Sequence, residues 1–401
     1  MKEMNKVKIF EKNSIDSILN ERLLLSVLKH PFIINMHFAF QTKDCLYIVM
    51  DYLSGGDLRY NLCKYRKFTE IQAKFILCCL ILALEYLHFN KIIHRDIKPE
   101  NMVFDNKGYV YLTDMGIAKP YIAEKELIDS SGTPGYMSPE VINNKNHDLS
   151  ADFFAIGIIL HEFMFGKRPY VGKNRAEIKE QMFSKEVNVK HDDIPENWSI
   201  EAADLLMKLL KRKPQDRIGF KNGIIDIKEH SWFRNVNWVE LYNKEAKAPY
   251  LPKVGDNFDV NYCNKGDEFD KSTYDYHLSK VNSEKHFIHF YYDEKNYLDK
   301  ESTFEYEGKH FKVLNPHDEK YIEVNKQRKI SGNSTLTNTA SNTPNVVPKM
   351  INVNNITFTP QLTPQLTPQL NRISDITMIS QSEKKEPADE IDDIGMRKLK
   401  I

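Results

Sequence analysis

Cysteine is scarce: Cys45, Cys63, Cys78, Cys79 and Cys263 are all there are in 401 residues. The number is odd, the spacing is irregular, and Cys78-Cys79 sits in an apolar run. That favours buried thiols over a disulfide framework or a metal site. No Cys/His spacing for zinc and no His-Glu-x-x-His are present, and His286 and His289 read as surface residues. Net charge is also lacking. Lys plus Arg and Asp plus Glu stand at 56 each, which gives no pull toward nucleic acid or an anionic membrane. The longest apolar stretch, Phe75 to Leu84, reads as too short to span a bilayer. Met1 to Lys12 is charged and has no secretory apolar core. The expectation is a soluble, cytoplasmic protein with access to the nucleus. Glycine comes late, the first being Gly55. What the chain does have is 41% hydrophobic residues, enough for a sizeable core, and length for about two or three structural units.

Chemistry concentrates in His94-Arg95-Asp96-Ile97-Lys98-Pro99-Glu100-Asn101, which leaves an apolar helical run after a turn at Asn90-Lys91. Asp96 can accept the proton of an attacking hydroxyl, and Lys98 can neutralise a moving phosphoryl group. Asn101, with Asp114 in Thr113-Asp114-Met115-Gly116 downstream, offers oxygens to Mg²⁺. These segments, followed by Ser138-Pro139-Glu140, resemble the catalytic loop, metal-binding turn and docking segment of the protein kinases. Met115 stands where the family usually has phenylalanine, a mild change for an adaptable apolar side chain.

The rest is read in chain order. Lys2 resembles the family's phosphate-pairing lysine. The helical segment Ile15 to Leu28 follows at once, with Glu21 as the lysine's partner and Leu24, Leu25 and Leu28 facing a core. The family places a glycine-rich phosphate loop before that lysine, and no Gly-x-Gly-x-x-Gly precedes Lys2. Either the native chain begins earlier or the phosphate lid is missing. Strands are expected over Ile33 to Phe40 and Leu46 to Tyr52. Asp51 to Asp57 resembles the hinge between two kinase lobes. The resemblance implies nucleotide contacts by Lys2, Glu21, Met50, Asp51, Leu53, Asp57, Val103, Asp114 and Phe258. Thr69 to Leu87 reads as a helix capped by Thr69. Val103-Phe104 and Val110 to Leu112 read as a hairpin.

Lys119 to Ser131 reads as the activation loop. The family's activating threonine would fall three residues before Gly132, where this chain has Asp129. A carboxylate there can pair with Arg95 without phosphorylation, with one charge where phosphate carries nearly two. The resemblance further implies bonds from Thr133 to Asp96 and Lys98, burial of Glu140 against Arg217, and Asp152 holding the catalytic-loop backbone. Asp57, Glu100 and Glu162 fall where basophilic relatives bind arginine two or three residues before the target. Ser130, Pro134 and Met137 would meet the residue after it. Lys221 to Trp238, Ala248 to Pro252 and Asn257-Phe258-Asp259 resemble a cyclic-nucleotide-dependent kinase and the wrapping C-terminal tail of the AGC group. Phe287 and Phe290 resemble that group's hydrophobic motif, docking beside the Glu21 helix, with Tyr291 where many relatives carry a phosphorylated Ser or Thr.

The fold expected is α+β and bilobal. It has a truncated small β lobe (1–50), a mainly helical large lobe (51–235), an AGC-type tail (236–295), an undecided segment (296–330) and a low-complexity, disordered C-terminus (331–401) with three Thr-Pro-Gln-Leu repeats. The expected function is a serine/threonine protein kinase using Mg²⁺ and ATP on protein substrates with upstream arginine, served by a regulatory subunit or an upstream kinase. A kinase-shaped scaffold with feeble ATP binding is the alternative. A small-molecule phosphotransferase is disfavoured by the docking segment Gly132 to Glu140.

Overall fold

The computed structural model describes residues 1–65, 68–253, 275–280, 286–296, 302–316, 318 and 321. Phe258 and the Thr-Pro-Gln-Leu segment lie outside them.

The chain opens with strand β1 (Lys2–Asn5), helix α1 (Lys6–Glu11) and helix α2 (Ile15–Val27). Helix α1 is a departure from the sequence reading, which had only the second helix. Its cause is local: the Asn5 side chain accepts from the amides of Val7 (3.0 Å) and Lys8 (3.2 Å), an N-cap. In and beside α2, Leu24, Leu25 and Leu28 are fully buried. Strands β2 (Met36–Gln41) and β3 (Cys45–Met50) are shorter than the expected runs, starting later than Ile33 and ending before Tyr52, and each takes in one polar-side neighbour, Gln41 and Cys45. The Asp51 amide still bonds the Asn35 carbonyl at 3.1 Å, but Ile33 bridges Leu112 instead of β3, so the chain leaves the sheet before Asn35. β3 pairs antiparallel with both β1 and β2, setting Lys2 opposite Ile48.

Helices α3 (Leu58–Tyr65) and α4 (Glu70–Phe89) follow. Thr69 and Gln72 form a reciprocal capping box at the start of α4. By length and composition α4 could cross a membrane, because it extends beyond the apolar run at both ends. Here its residues Ile76 to Leu84 are buried inside the fold. Four short ladder strands carry the site: β4 (Ile92–Ile93), then β5 (Met102–Phe104) paired antiparallel with β6 (Val110–Leu112), and β7 (Lys119–Pro120), which pairs back on β4. Gly55 is required by packing. A Cβ there would lie 2.6 Å from Phe104 Cβ and 2.9 Å from the Asp105 carbonyl, so the hinge backbone can press against β5 only without a side chain.

Helices α5 (Pro139–Ile142), α6 (Ser150–Phe165), α7 (Arg175–Ser184), α8 (Ile200–Leu209), α9 (Ile224–Lys228) and α10 (Trp238–Tyr242) complete this half. α6 is buried on nearly every side. Each fully buried Ile, Leu or Phe contributes about 1.5–3 kcal/mol relative to exposure. Arg217 is fully buried and forks onto Glu140 at 2.8 and 3.0 Å. Its third partner is the Ser150 carbonyl, at 2.8 Å.

The end of the expected tail and the undecided segment after it fold back where they are described. Strand β8 (Tyr292–Asp293) adds to the free edge of β2, giving sheet order β1-β3-β2-β8. Strands β9 (Thr303–Tyr306) and β10 (Lys309–Lys312) form a hairpin. Phe287, Phe290, Tyr292, Phe304, Val313 and Tyr321 are buried in the common core. The Asn315 side chain accepts from the Lys29 amide (3.2 Å) and the Tyr86 hydroxyl (2.5 Å).

Candidate active site

The catalytic loop is suspended from one buried carboxylate. Asp152, on α6, accepts from the amides of His94 (3.0 Å) and Arg95 (2.9 Å), and His88 Nε2 lies 2.8 Å from it. Burial would push the Asp152 carboxyl up, yet His88 and these neighbours hold it below the usual range. It therefore stays an anion able to grip two amides. The loop backbone is forced: Arg95 has φ 69° and Asp114 φ 63°, left-handed positions rare for non-glycine residues.

Asp96 sits at the centre. Its Oδ1 accepts from the Thr133 amide (3.0 Å) and hydroxyl (2.8 Å). Its Oδ2 accepts from Lys98 Nζ (2.6 Å) and Asn101 Nδ2 (3.1 Å). Lys98 also donates to the Thr133 hydroxyl at 2.9 Å, closing a ring. Burial raises the Asp96 carboxyl, but the bonds from Lys98 and Thr133 prevail and hold it low. It is an ionised, oriented acceptor at neutral pH.

Lys2 reaches Glu21 of α2 at 2.8 and 2.9 Å. Glu21 is buried, and burial raises its carboxyl against the pull of Lys2. Asn20, beside it, was not singled out by sequence reasoning. Its amide bonds the carbonyls of Met115 (2.8 Å), Gly116 (3.2 Å) and Ala118 (2.9 Å), tying α2 to the metal turn. Met115 is fully buried. Among the described residues no group of three His, Cys, Asp or Glu side chains is placed to hold a metal ion. Asp114 and Asn101 alone fit a cation that takes its remaining oxygens from phosphates and water, as Mg²⁺ does. Asn101 spends its nitrogen on Asp96, which leaves its oxygen as the ligand type required.

The hinge residues Met50, Asp51 and Leu53 are half-buried, and Asp57 bridges Val103 on β5. The Asp51 amide is already bonded to Asn35, so of its two backbone groups the carbonyl is the one left to face a base.

The activation segment is latched. Asp129 Oδ2 accepts from Arg95 Nη1 (2.7 Å) and Lys119 Nζ (2.8 Å). Oδ1 accepts from the Ser131 amide (2.8 Å) and hydroxyl (2.5 Å). Burial opposes ionisation, but Arg95 and Lys119 depress the carboxyl far below its usual range. Lys119 is a second cation that sequence reasoning had not assigned.

The acid cluster is not open. Glu162 and Glu100 both hold Arg59 of α3, an arginine sequence reasoning passed over. Asp57 caps α3, accepting from the Tyr60 amide at 2.7 Å. Of the downstream subsite, Met137 is buried, Pro134 is half-buried, and the Ser130 carbonyl accepts from Arg175 at 3.2 Å. Phe287 and Phe290 are buried, and the Phe287 carbonyl accepts from Gln41 at 2.7 Å. The carbonyl of Tyr291, the motif's last residue, is bonded by Arg22 of α2.

Residues 1–233 match the family model described as protein kinase domain. The chain belongs to the protein kinase family. It is 37% identical over 267 residues to the serine/threonine-protein kinase sgk-1 of Caenorhabditis elegans, covering 66% of this chain and 57% of that protein. It is 34% identical over 255 residues to the cAMP-dependent protein kinase catalytic subunit of Dictyostelium discoideum (63% and 38%). It is 41% identical over 244 residues to human ribosomal protein S6 kinase alpha-3 (60% and 32%). The kinase thus spans about half, or less, of the length of these curated relatives. All three are AGC-type kinases, the group its sequence resembles.

Proposed function

We propose that this kinase transfers the γ-phosphate of ATP to serine or threonine of protein substrates. The observation that carries the reading is the closed ring Asp96–Thr133–Lys98, present together with the Lys2–Glu21 pair and the Asp129 latch. Asp96 orients the substrate hydroxyl and takes its proton as the new oxygen–phosphorus bond forms and the bond from the γ-phosphorus to the bridging oxygen breaks, ADP being the leaving group. Lys98 balances charge on the transferring group, and Lys2, fixed by Glu21, pairs with the phosphates. Mg²⁺ at Asp114 and Asn101 would supply charge neutralisation between the phosphates. Asp57, Glu100 and Glu162 give the docking face an acidic character that suits arginine upstream of the target. A regulatory subunit or upstream kinase would act through the loop or the Phe287–Phe290 motif.

The test is phosphotransfer from Mg·ATP to serine peptides by the native full-length protein. Turnover that disappears in Asp96→Asn supports the reading. No transfer, with ATP binding at millimolar concentrations only, would instead favour a kinase-shaped scaffold.

A further inference from the structure

The acid cluster holds a guanidinium of its own. Arg59 Nη1 donates to Glu162 Oε1 at 2.6 Å, and Nη2 donates to Oε2 at 3.1 Å. Its Nε donates to Glu100 Oε1 at 2.8 Å, and Nη2 also bonds the Tyr136 hydroxyl. That hydroxyl in turn donates to Glu162 Oε2 at 2.9 Å, and Arg168 covers the Tyr136 ring. Both Glu162 oxygens are therefore taken, in the bidentate geometry that a substrate arginine would use.

Helix chemistry does not explain Arg59. It is the second residue of α3, whose first turn carries no acid. A cation there faces the positive end of the helix. What holds it is the pair of glutamates. Glu162 is buried and would be costly to leave unpaired.

We infer that Arg59 is a specificity-determining residue that occupies the upstream-arginine subsite and competes with the arginine of the substrate. The inference rests on the arginine-directed reading above. An incoming guanidinium must displace Arg59 or settle for the outer oxygens of Glu100 and Asp57. The native kinase then discriminates weakly between arginine and neutral residues upstream of its target, and removing Arg59 sharpens that choice.

The test is binding rather than turnover. A fluorescent serine peptide with arginine at both two and three residues before the serine is compared with its double-glutamine counterpart, by anisotropy, on native protein and Arg59→Ala. Arg59→Ala should bind the arginine peptide about tenfold tighter than native does, with the glutamine peptide unchanged. Glu162→Gln in the same background should cancel the gain. Equal arginine selectivity in native and Arg59→Ala overturns the role of Arg59 and leaves the arginine-directed reading standing. No arginine selectivity in either protein overturns both. If Arg59→Ala unfolds, Arg59→Lys keeps the charge but loses the fork, and it should show the same ordering with a smaller gap. An unchanged selectivity in Arg59→Lys then counts against the proposal.

Discussion

Asp129 and Arg59 each supply from within the chain a charge that the proposed function would otherwise draw from outside, and the consequences are opposite. At the activation segment an aspartate stands where a phosphate is expected, and two cations, Arg95 and Lys119, converge on it. At the docking face an arginine stands where substrate is expected, and Glu100 and Glu162 converge on it. On the proposed function the first would complete a site and the second would fill one. A built-in partner for a structural charge would favour the active arrangement permanently. The same device in a recognition subsite would have to be overcome at each encounter.

The centre between the two regions gives the largest expected effect. Asp114→Asn should lower turnover on the order of a thousandfold, because the full charge opposite the cation is lost. Unchanged kinetics of peptide phosphorylation would dissolve the comparison by removing the chemistry it flanks. A purely internal ion pair serves as a reference for both. Glu140→Ala strands Arg217 in the core and should cost about 3 kcal/mol or more in urea unfolding. A loss below about 1 kcal/mol would show that stranding a buried charge in this fold is tolerated.

The latch comes next. Asp129→Ala should reduce turnover about tenfold in unphosphorylated protein, and Asp129→Glu should recover part of it. The pH dependence sharpens the contrast with phosphate. A depressed carboxyl contributes stability that is present above its unfolded value, near 3.8, and lost only as pH falls through its lower folded value. The Asp129 contribution should therefore be level from about pH 8 to 6, whereas phosphate gains a proton near pH 6. A step in the native-to-Asp129→Ala activity ratio across that range would contradict this.

The smallest effect concerns the returning strand β8. His37 lies between Glu294 (2.6 Å) and Asp51 (2.9 Å). Burial alone would lower its pKa, but Glu294 and Asp51 raise it above 6.5. A raised histidine contributes stability that is full below its unfolded value and lost as pH rises through the folded one. Amide exchange at Tyr292 and Asp293, corrected for intrinsic rates, should accelerate modestly between about pH 6 and 8. His37→Gln should flatten that change, and an equal pH response in the mutant would dismiss the contact.

Features encoded in short contiguous motifs are legible in the amino-acid sequence. Thr69 before an apolar run announces a cap, and Asp96, Lys98 and Thr133 carry their pairing in fixed neighbours. Asp129 is legible because its offset from Gly132 specifies a position. Arg59 is not, since an arginine near a helix start looks like a solvated side chain until Glu162, 103 residues later, is brought against it. Asn20 and Lys119 are obscured in the same way, each being a polar residue whose partner is set by tertiary packing. Helix α1 escapes notice because its only signal is Asn5 followed by a short run. The edge strand β8 has two residues, too few for a period, and its pairing depends on the unpaired side of β2.

The most direct measurement is phosphotransfer by the native full-length kinase after complete dephosphorylation, with the loop serines Ser130 and Ser131 followed by mass spectrometry. If Asp129 stands in for phosphate, phosphoserine accumulates on a peptide from the first time point, without a lag and before any phosphate reaches the activation segment. Activity that emerges only after loop phosphorylation, or that is identical in Asp129→Ala, would contradict it.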